Sequence, residues 1–201
     1  MPDLLAEIQA LGPLDWGITA TALVYVYLAA RENAWCWAWG GVSCLGWAYV
    51  SFVQYDLWLD ALLQVYYVGM SVYGLYHWKF NNTPNTPAAP VVRWSWRKHV
   101  VLLAIGIPLS VFVGYAFAEL TPAAATYIDA FTTVFAILTT YLVARKVLEN
   151  WLYWIAIDVA LAYLYASRGA YLFALLMLVY IGIAVWGWYR WRATYRGQRV
   201  N

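Results

Sequence analysis

Residues Leu59–Trp78 read LDALLQVYYVGMSVYGLYHW, and residues Leu172–Trp191 read LFALLMLVYIGIAVWGWYRW. Ten of the 20 positions match without a gap. A repeat of this kind decides the fold before any local reading, because each copy is one structural unit. Upstream, Tyr27–Arg31 (YLAAR) matches Tyr141–Arg145 (YLVAR) at four of five positions, with the offset changed by one residue. The repeat therefore covers more than one helix.

Apolar stretches lie near residues 14–30, 34–53, 58–78, 99–118, 126–144, 150–166 and 170–189. Each approaches the length that crosses about 30 Å of hydrocarbon. Composition agrees: 65% of the 201 residues are hydrophobic and 11% are charged. A soluble domain is nearer to about 25% charged. The 14 Trp and 18 Tyr suit the membrane interface, where a ring sits in the apolar zone and its N–H or O–H meets water. The second and third stretches are split only by Gln54–Asp56, and the sixth and seventh by Ser167, Arg168 and Gly169. The long polar loop Asn81–Arg97 carries Pro84, Pro87 and Pro90, which exclude regular helix there.

The expected architecture is all-α, with seven transmembrane helices. Residues 14–78 form a first three-helix repeat, 79–98 a cytoplasmic loop, 99–118 a linker helix, 126–191 a second repeat and 192–201 a cytoplasmic tail. Three helices leave the chain on the far side of the membrane, so a second copy in the same orientation needs one extra crossing. The stretch 99–118, with Pro108 inside it, supplies that crossing. Such parallel repeats are a transporter plan, with the site near the midplane between the halves.

Charge sets the direction. Of the 12 Lys and Arg, 11 fall on the side holding Arg31, Lys79, Arg97 and the C-terminal arginines, and only Arg168 falls on the other. Basic loops stay in the cytoplasm, so the N-terminus is expected outside and the C-terminus inside. The acidic N-terminus (Asp3, Glu7) does not read as a cleavable signal peptide.

Helical phase, at about 100° per residue, shows which side chains share a stripe. On the third span Asp60, Gln64, Tyr67, Ser71, Gly74 and Trp78 fall together; on the seventh, Phe173, Met177, Tyr180, Ala184, Gly187 and Trp191. Tyr, Gly and Trp are kept in both copies and read as fold, with Gly allowing close helix approach. Asp60, Gln64 and Ser71 are apolar in the second copy, and such differences suit an asymmetric ligand. On the sixth span Trp151, Trp154, Asp158 and Tyr165 align. Asp158 is the one carboxylate expected near mid-bilayer, where an ionisable group costs at least about 2.5 kcal/mol and faces a cavity or a partner. Trp39, Ser43 and Trp47 align on the second span, and Asp129, Thr132, Ala136 and Thr139 on the fifth. Ser and Thr there read as helix–helix hydrogen-bonding groups.

Several chemistries find no support. No GxxxxGK[ST] run occurs. His77 and His99 sit near the cytoplasmic face, away from Cys or carboxylates at metal-ligand spacing. No nucleophile–base pair can be assembled, and neither a cofactor nor a nucleic-acid partner is expected. Cys36 and Cys44, eight residues apart on one helix, stand about 12 Å apart, too far for a disulfide. No mid-membrane Lys or Arg awaits a phosphate, which favours a nucleoside over a nucleotide.

Glu149–Trp154 (ENWLYW) followed by Ile157-Asp158, then Gly169–Leu172 (GAYL) and Trp186-Gly187-Trp188, resembles the PnuC family of transporters. So do Gln64–Tyr67 (QVYY) and Tyr73–Trp78 (YGLYHW). The resemblance spans about residues 15–192. It implies a bacterial inner-membrane carrier of nicotinamide riboside, with relatives for thiamine and riboflavin, and a 3+1+3 fold similar to a full-length SWEET architecture. It further implies facilitated diffusion, trapping of substrate by a cytoplasmic kinase, and a homotrimer. Carried over as substrate-binding residues are Gln64, Tyr67, Trp151, Trp154, Asp158 and Tyr180; Trp47 joins them from its polar stripe. A flat pyridinium cation suits an aromatic cage with a carboxylate, and amide or hydroxyl groups suit its ribose. Thiamine, also a flat cation, suits the same residues. Riboflavin, larger and neutral, uses them less. Two other readings stand beside a uniporter: proton coupling through Asp158, and a ligand-binding receptor without transport.

Overall fold

The computed structural model describes residues 4–53, 58–80, 89–120 and 126–199. They form eight α-helices: α1 Leu4–Ala10, α2 Pro13–Ala30, α3 Cys36–Val53, α4 Trp58–Phe80, α5 Trp96–Leu120, α6 Thr126–Ala144, α7 Asn150–Ser167 and α8 Tyr171–Gly197. Among the described residues there is no strand, only an isolated bridge between Val92 and Val147. The seven long helices coincide with the seven apolar stretches. The short α1 had no apolar signal. α5 and α8 run past the ends read from hydropathy, to Trp96 and Gly197, because Arg97, Lys98 and the Arg190–Arg196 segment are helical but polar.

Among the described residues three helices are long and apolar enough, by length and composition alone, to cross a membrane: Trp96–Glu119, Tyr127–Ala144 and Tyr171–Gly197. α2, α3, α4 and α7 have 18 to 23 residues, about 27–35 Å of helix. Their apolar character is diluted by Tyr, Trp and Gly, which hydropathy scales rate below Leu or Val. Large apolar side chains such as Val65, Val72, Phe112, Tyr163 and Leu178 stand exposed around the outside of the bundle.

Helix neighbours follow a regular order. α3 packs between α2 and α4, and α7 between α6 and α8; α2 meets α8, and α4 meets α6; α5 packs on α6. That last contact is close, since a Cβ on Gly106 would lie 2.9 Å from the Phe135 ring and one on Gly114 2.6 Å from Tyr127.

The helix ends sort into two sets. At one end Arg168 pairs with Asp129 at 3.2 Å, and Glu7 accepts backbone N–H bonds from Tyr171 and Leu172. At the other end Lys146 pairs with Glu32 at 3.2 Å, Arg93 pairs with Glu149 at 2.7 Å, and Arg145 donates to the Tyr73 hydroxyl. The bond to Glu149 raises the Arg93 guanidinium above its ordinary pKa. His99, expected as a plain boundary residue, is held there by Tyr153, 3.0 Å from its Nδ1.

At this second end α2 and α6 close in the same way. The Asn33 amide donates to Leu28 and the Glu32 amide to Ala29; the Val147 amide donates to Leu142 and the Lys146 amide to Val143. This is the Schellman pattern, with a left-handed residue just past the helix. Glu32 (φ 57°) and Lys146 (φ 50°) occupy that position, which glycine fills most easily. An extended segment lies on the second turn: the Val92 amide donates to Lys146, and the Leu148 amide to Val92.

The centre of the bundle is tryptophan. Trp37 lies edge-on to Trp78 at 5.7 Å and 89°, and Trp151 lies edge-on to Trp191 at 5.4 Å and 87°. Trp78 and Trp191 meet at 5.8 Å and join the two pairs. Both pairs need a glycine opposite, because a Cβ on Gly74 would fall 2.2 Å from Trp37, and one on Gly187 2.7 Å from Trp151. Each of these two joining indoles crosses to the other half. Trp78 Nε1–H donates to the Val143 and Ala144 carbonyls, and Trp191 Nε1–H to Ala29.

Candidate substrate cavity

Between α2, α3, α4, α6, α7 and α8 lies a two-lobed cavity. The larger lobe measures about 440 Å³ and the smaller about 230 Å³. They share Ala22, Tyr25, Trp154, Leu161 and Tyr180 as walls. The combined space lies within the usual range for small-molecule sites, about 300–1,000 Å³.

Six of the seven side chains expected at a site meet here. Gln64 and Tyr67, one turn apart on α4, line the larger lobe. Trp154 and Tyr180 stand between the lobes. Trp151 and Asp158, two turns apart on α7, line the smaller lobe. Trp47, half-buried on α3, lines neither lobe. Its neighbour in phase, Ser43, does line the cavity, but Ser43 donates to the Ile18 carbonyl at 3.1 Å and so ties α3 to α2. The Asp60 side chain lies outside the described residues.

Sequence reasoning missed Tyr25, Trp37, Gly40, Cys44 and Thr140, all in the larger lobe. A signal existed. The offset that carries YLAAR onto YLVAR places Tyr25 opposite Thr139, Gly40 opposite Trp154 and Cys44 opposite Asp158. Each is a difference between copies, the property that singled out Gln64 on the third span.

The walls are apolar and aromatic, with a few polar groups. Gln64 is 7% exposed and Asp158 5% exposed. Asp158 forms no ion pair among the described residues, and no Lys or Arg lines either lobe. Ser71 and Thr132 spend their hydroxyl protons on carbonyls of their own helices. By contrast, Trp37 Nε1, Trp151 Nε1 and Thr139 Oγ1 are buried without a hydrogen-bond partner. Buried donors are nearly always satisfied in folded proteins; these three are sealed by the packing around them rather than open to the cavity. The cavity thus offers rings for a flat group, one carboxylate for a cation, and an amide for oxygens. Among the described residues no cluster of His, Cys, Asp and Glu could hold a metal ion.

A family model described as nicotinamide mononucleotide transporter matches residues 12–193. The chain is similar to the nicotinamide riboside transporter PnuC of Escherichia coli (strain K12). The two are 29% identical over 227 aligned positions, covering 98% of this chain and 90% of the relative. The nicotinamide riboside transporter PnuC of Shigella flexneri gives the same figures. Among solved structures, the crystal structure of the vitamin B3 transporter PnuC superposes with a TM-score of 0.68 at 20% identity. That match covers 95% of this chain and 86% of the other.

Proposed function

The chain belongs to the nicotinamide mononucleotide transporter family, a family of multi-pass membrane carriers of small molecules, and from that premise we propose that its substrate is nicotinamide riboside. The family description and the curated relatives name compounds that differ by one phosphate. The observation that decides between them is the charge of the cavity, with one carboxylate in its wall and no Lys or Arg. A buried phosphate needs cationic or multiple N–H partners. A pyridinium needs a carboxylate and aromatic faces. In this reading Trp154 and Tyr180 flank the nicotinamide ring, Asp158 balances its charge, Trp151 closes the smaller lobe, and Gln64 and Tyr67 meet the ribose. Trp47 serves packing.

The proposed architecture is 3+1+3, with α2–α4 and α6–α8 as parallel repeats and α5 as the crossing between them. The matched neighbour order, the matched Schellman turns and the two Trp–Gly pairs support it. The end bearing Glu32 and Lys146 faces the cytoplasm of a bacterial inner membrane, a direction that the 11-to-1 distribution of basic residues supports. Transport follows by rocking of one repeat against the other around the cavity. With no energy source in the chain, uptake is facilitated diffusion, and a cytoplasmic kinase keeps it inward by phosphorylating the product for NAD synthesis. No enzymatic step is assigned to the chain itself. The carrier assembles as a homotrimer through its exposed apolar faces, which light scattering of the detergent-solubilised protein tests.

Thermal stabilisation tests the substrate directly, since a ligand of the folded state raises its melting temperature. Nicotinamide riboside is expected to raise it and nicotinamide mononucleotide to leave it unchanged. A rise with thiamine or riboflavin instead moves the substrate to a sister branch and keeps the fold. Counterflow in vesicles without ion gradients tests the uniport. A strict need for a proton gradient would transfer the mechanism to proton coupling through Asp158.

A further inference from the structure

Beyond the cavity, at the basic end of the bundle, an ion pair joins the two halves. Its members are Glu32 and Lys146, 3.2 Å apart. They hold the same place in their respective turns, the left-handed residue that closes α2 and the one that closes α6. That place favours glycine, yet both turns spend it on a long charged side chain pointed at the other half. Lys146 is 4% exposed at its side chain and Glu32 19%. Lys146 Nζ also sits 4.7 Å from the centroid of the Trp78 ring. Trp37 and Trp151 are cavity walls, with Trp78 and Trp191 edge-on to them and buried. The pair therefore lies over the aromatic plug that separates the cavity from the basic end.

We propose that Glu32 and Lys146 are the latch of the inner gate, a charge pair that holds the Trp78–Trp191 plug shut and whose separation opens the cavity toward the cytoplasm. Both are positioning residues, since neither lines the cavity. The proposal rests on the transport reading for its direction. The latch is also lopsided. The Lys146 turn is pinned by the Val92 segment through two backbone hydrogen bonds and by the Arg93–Glu149 pair. Among the described residues, the Glu32 turn has no such backbone anchor; besides its pair with Lys146 and the Trp191 bond to Ala29, it is held by Lys79, which stands 3.9 Å over the Trp35 ring. Opening thus swings the α2–α3 turn away from a fixed α6–α7 turn.

Cys44 supplies a native reporter, being a free thiol in the wall of the larger lobe. In inverted membrane vesicles a charged, membrane-impermeant methanethiosulfonate meets the protein from the cytoplasmic side, and the Cys44→Ala chain gives the background. Glu32→Gln is expected to speed Cys44 labelling roughly three- to tenfold, the shift that loss of one partly buried pair gives a two-state equilibrium. Lys146→Gln should do the same. Glu32→Lys combined with Lys146→Glu should return labelling toward the native rate, which a merely structural role would not do. Should Lys146→Gln fail to fold, Glu32→Gln against the charge-keeping Glu32→Asp carries the comparison alone. Labelling indifferent to Glu32, or a reversed pair no better than the single variants, overturns the latch. A chain that binds none of the four test solutes but still exposes Cys44 on Glu32→Gln removes the substrate reading and leaves the latch standing.

Discussion

The halves α2–α4 and α6–α8 are alike in their frame and unlike in their walls. In the frame, Trp37, Gly74 and Trp78 repeat as Trp151, Gly187 and Trp191, with ring distances of 5.7 and 5.4 Å and nearly equal angles. In the walls, Tyr25 faces the cavity where the second half has Thr139; Trp154 and Asp158 stand where the first half has Gly40 and Cys44; Gln64 and Ser71 answer to Met177 and Ala184. A frame repeated about one axis lets two halves move against each other with equal and opposite contacts. A ligand without symmetry needs walls that differ. The molecule keeps the two demands on separate residues.

The largest effect should come from the strongest difference between walls. Asp158→Asn keeps shape and removes the charge. Loss of one partner of a buried charge pair costs about 2–5 kcal/mol, so affinity for a cationic substrate should fall roughly 30-fold or more in a calorimetric titration. Binding left intact would exclude Asp158 as the counter-charge, and flux by this variant that stays normal across pH would dispose of proton coupling. Next comes Trp154→Ala. It removes the ring that the first half lacks and with it a desolvated cation–π contact of about 2 kcal/mol, read as a roughly tenfold or greater rise in Kd. If a neutral analogue loses as much as the cation, the ring acts by shape alone.

Substitutions in the frame should act on stability instead. Gly74→Ala and Gly187→Ala each push a methyl into a tryptophan, and overpacking of this kind costs about 1–3 kcal/mol. Both should lower the melting temperature. Gly74→Ala should lower it further, because its Cβ falls at 2.2 Å rather than 2.7 Å. Equal tolerance at both positions would show that the two pairs are not held as drawn. The smallest effect is Gln64→Met, which gives the first half the residue of the second. Losing one hydrogen bond of about 1 kcal/mol should raise Kd about fivefold and leave stability nearly unchanged; a drop in stability without one in affinity would make Gln64 a helix–helix tie.

The frame was legible because repetition and hydropathy are properties of the chain itself. The match of Leu59–Trp78 with Leu172–Trp191 located α4 and α8 and the residues that face inward on them. The walls were legible where one helix supplied a stripe, as with Trp151, Trp154 and Asp158 on α7. Trp47 shows the limit. Helical phase puts it in line with Ser43, but a wheel says nothing of where neighbouring helices stop, and the cavity ends before reaching its turn. Tyr25 and Cys44 were missed for another reason, that the repeat register was not carried through α2 and α3 to ask which positions differ. The Val92 segment and the Glu32–Lys146 pair were beyond reach. Both depend on contacts between residues more than 50 positions apart that no local pattern announces.

α5 packs on α6 and contributes no side chain to either lobe of the cavity. The contacts that bind the halves to each other lie elsewhere, among them Tyr66 reaching Ile137, Arg145 reaching Tyr73, Trp78 reaching Ala144, Trp191 reaching Ala29, and Glu32 reaching Lys146. α5 thus takes no part in the contact between the halves. In the proposed architecture it serves to set the direction in which the second half enters the membrane. A carrier assembled from two separately made halves, each inserted the right way round, would hold together by the same contacts and enclose the same space.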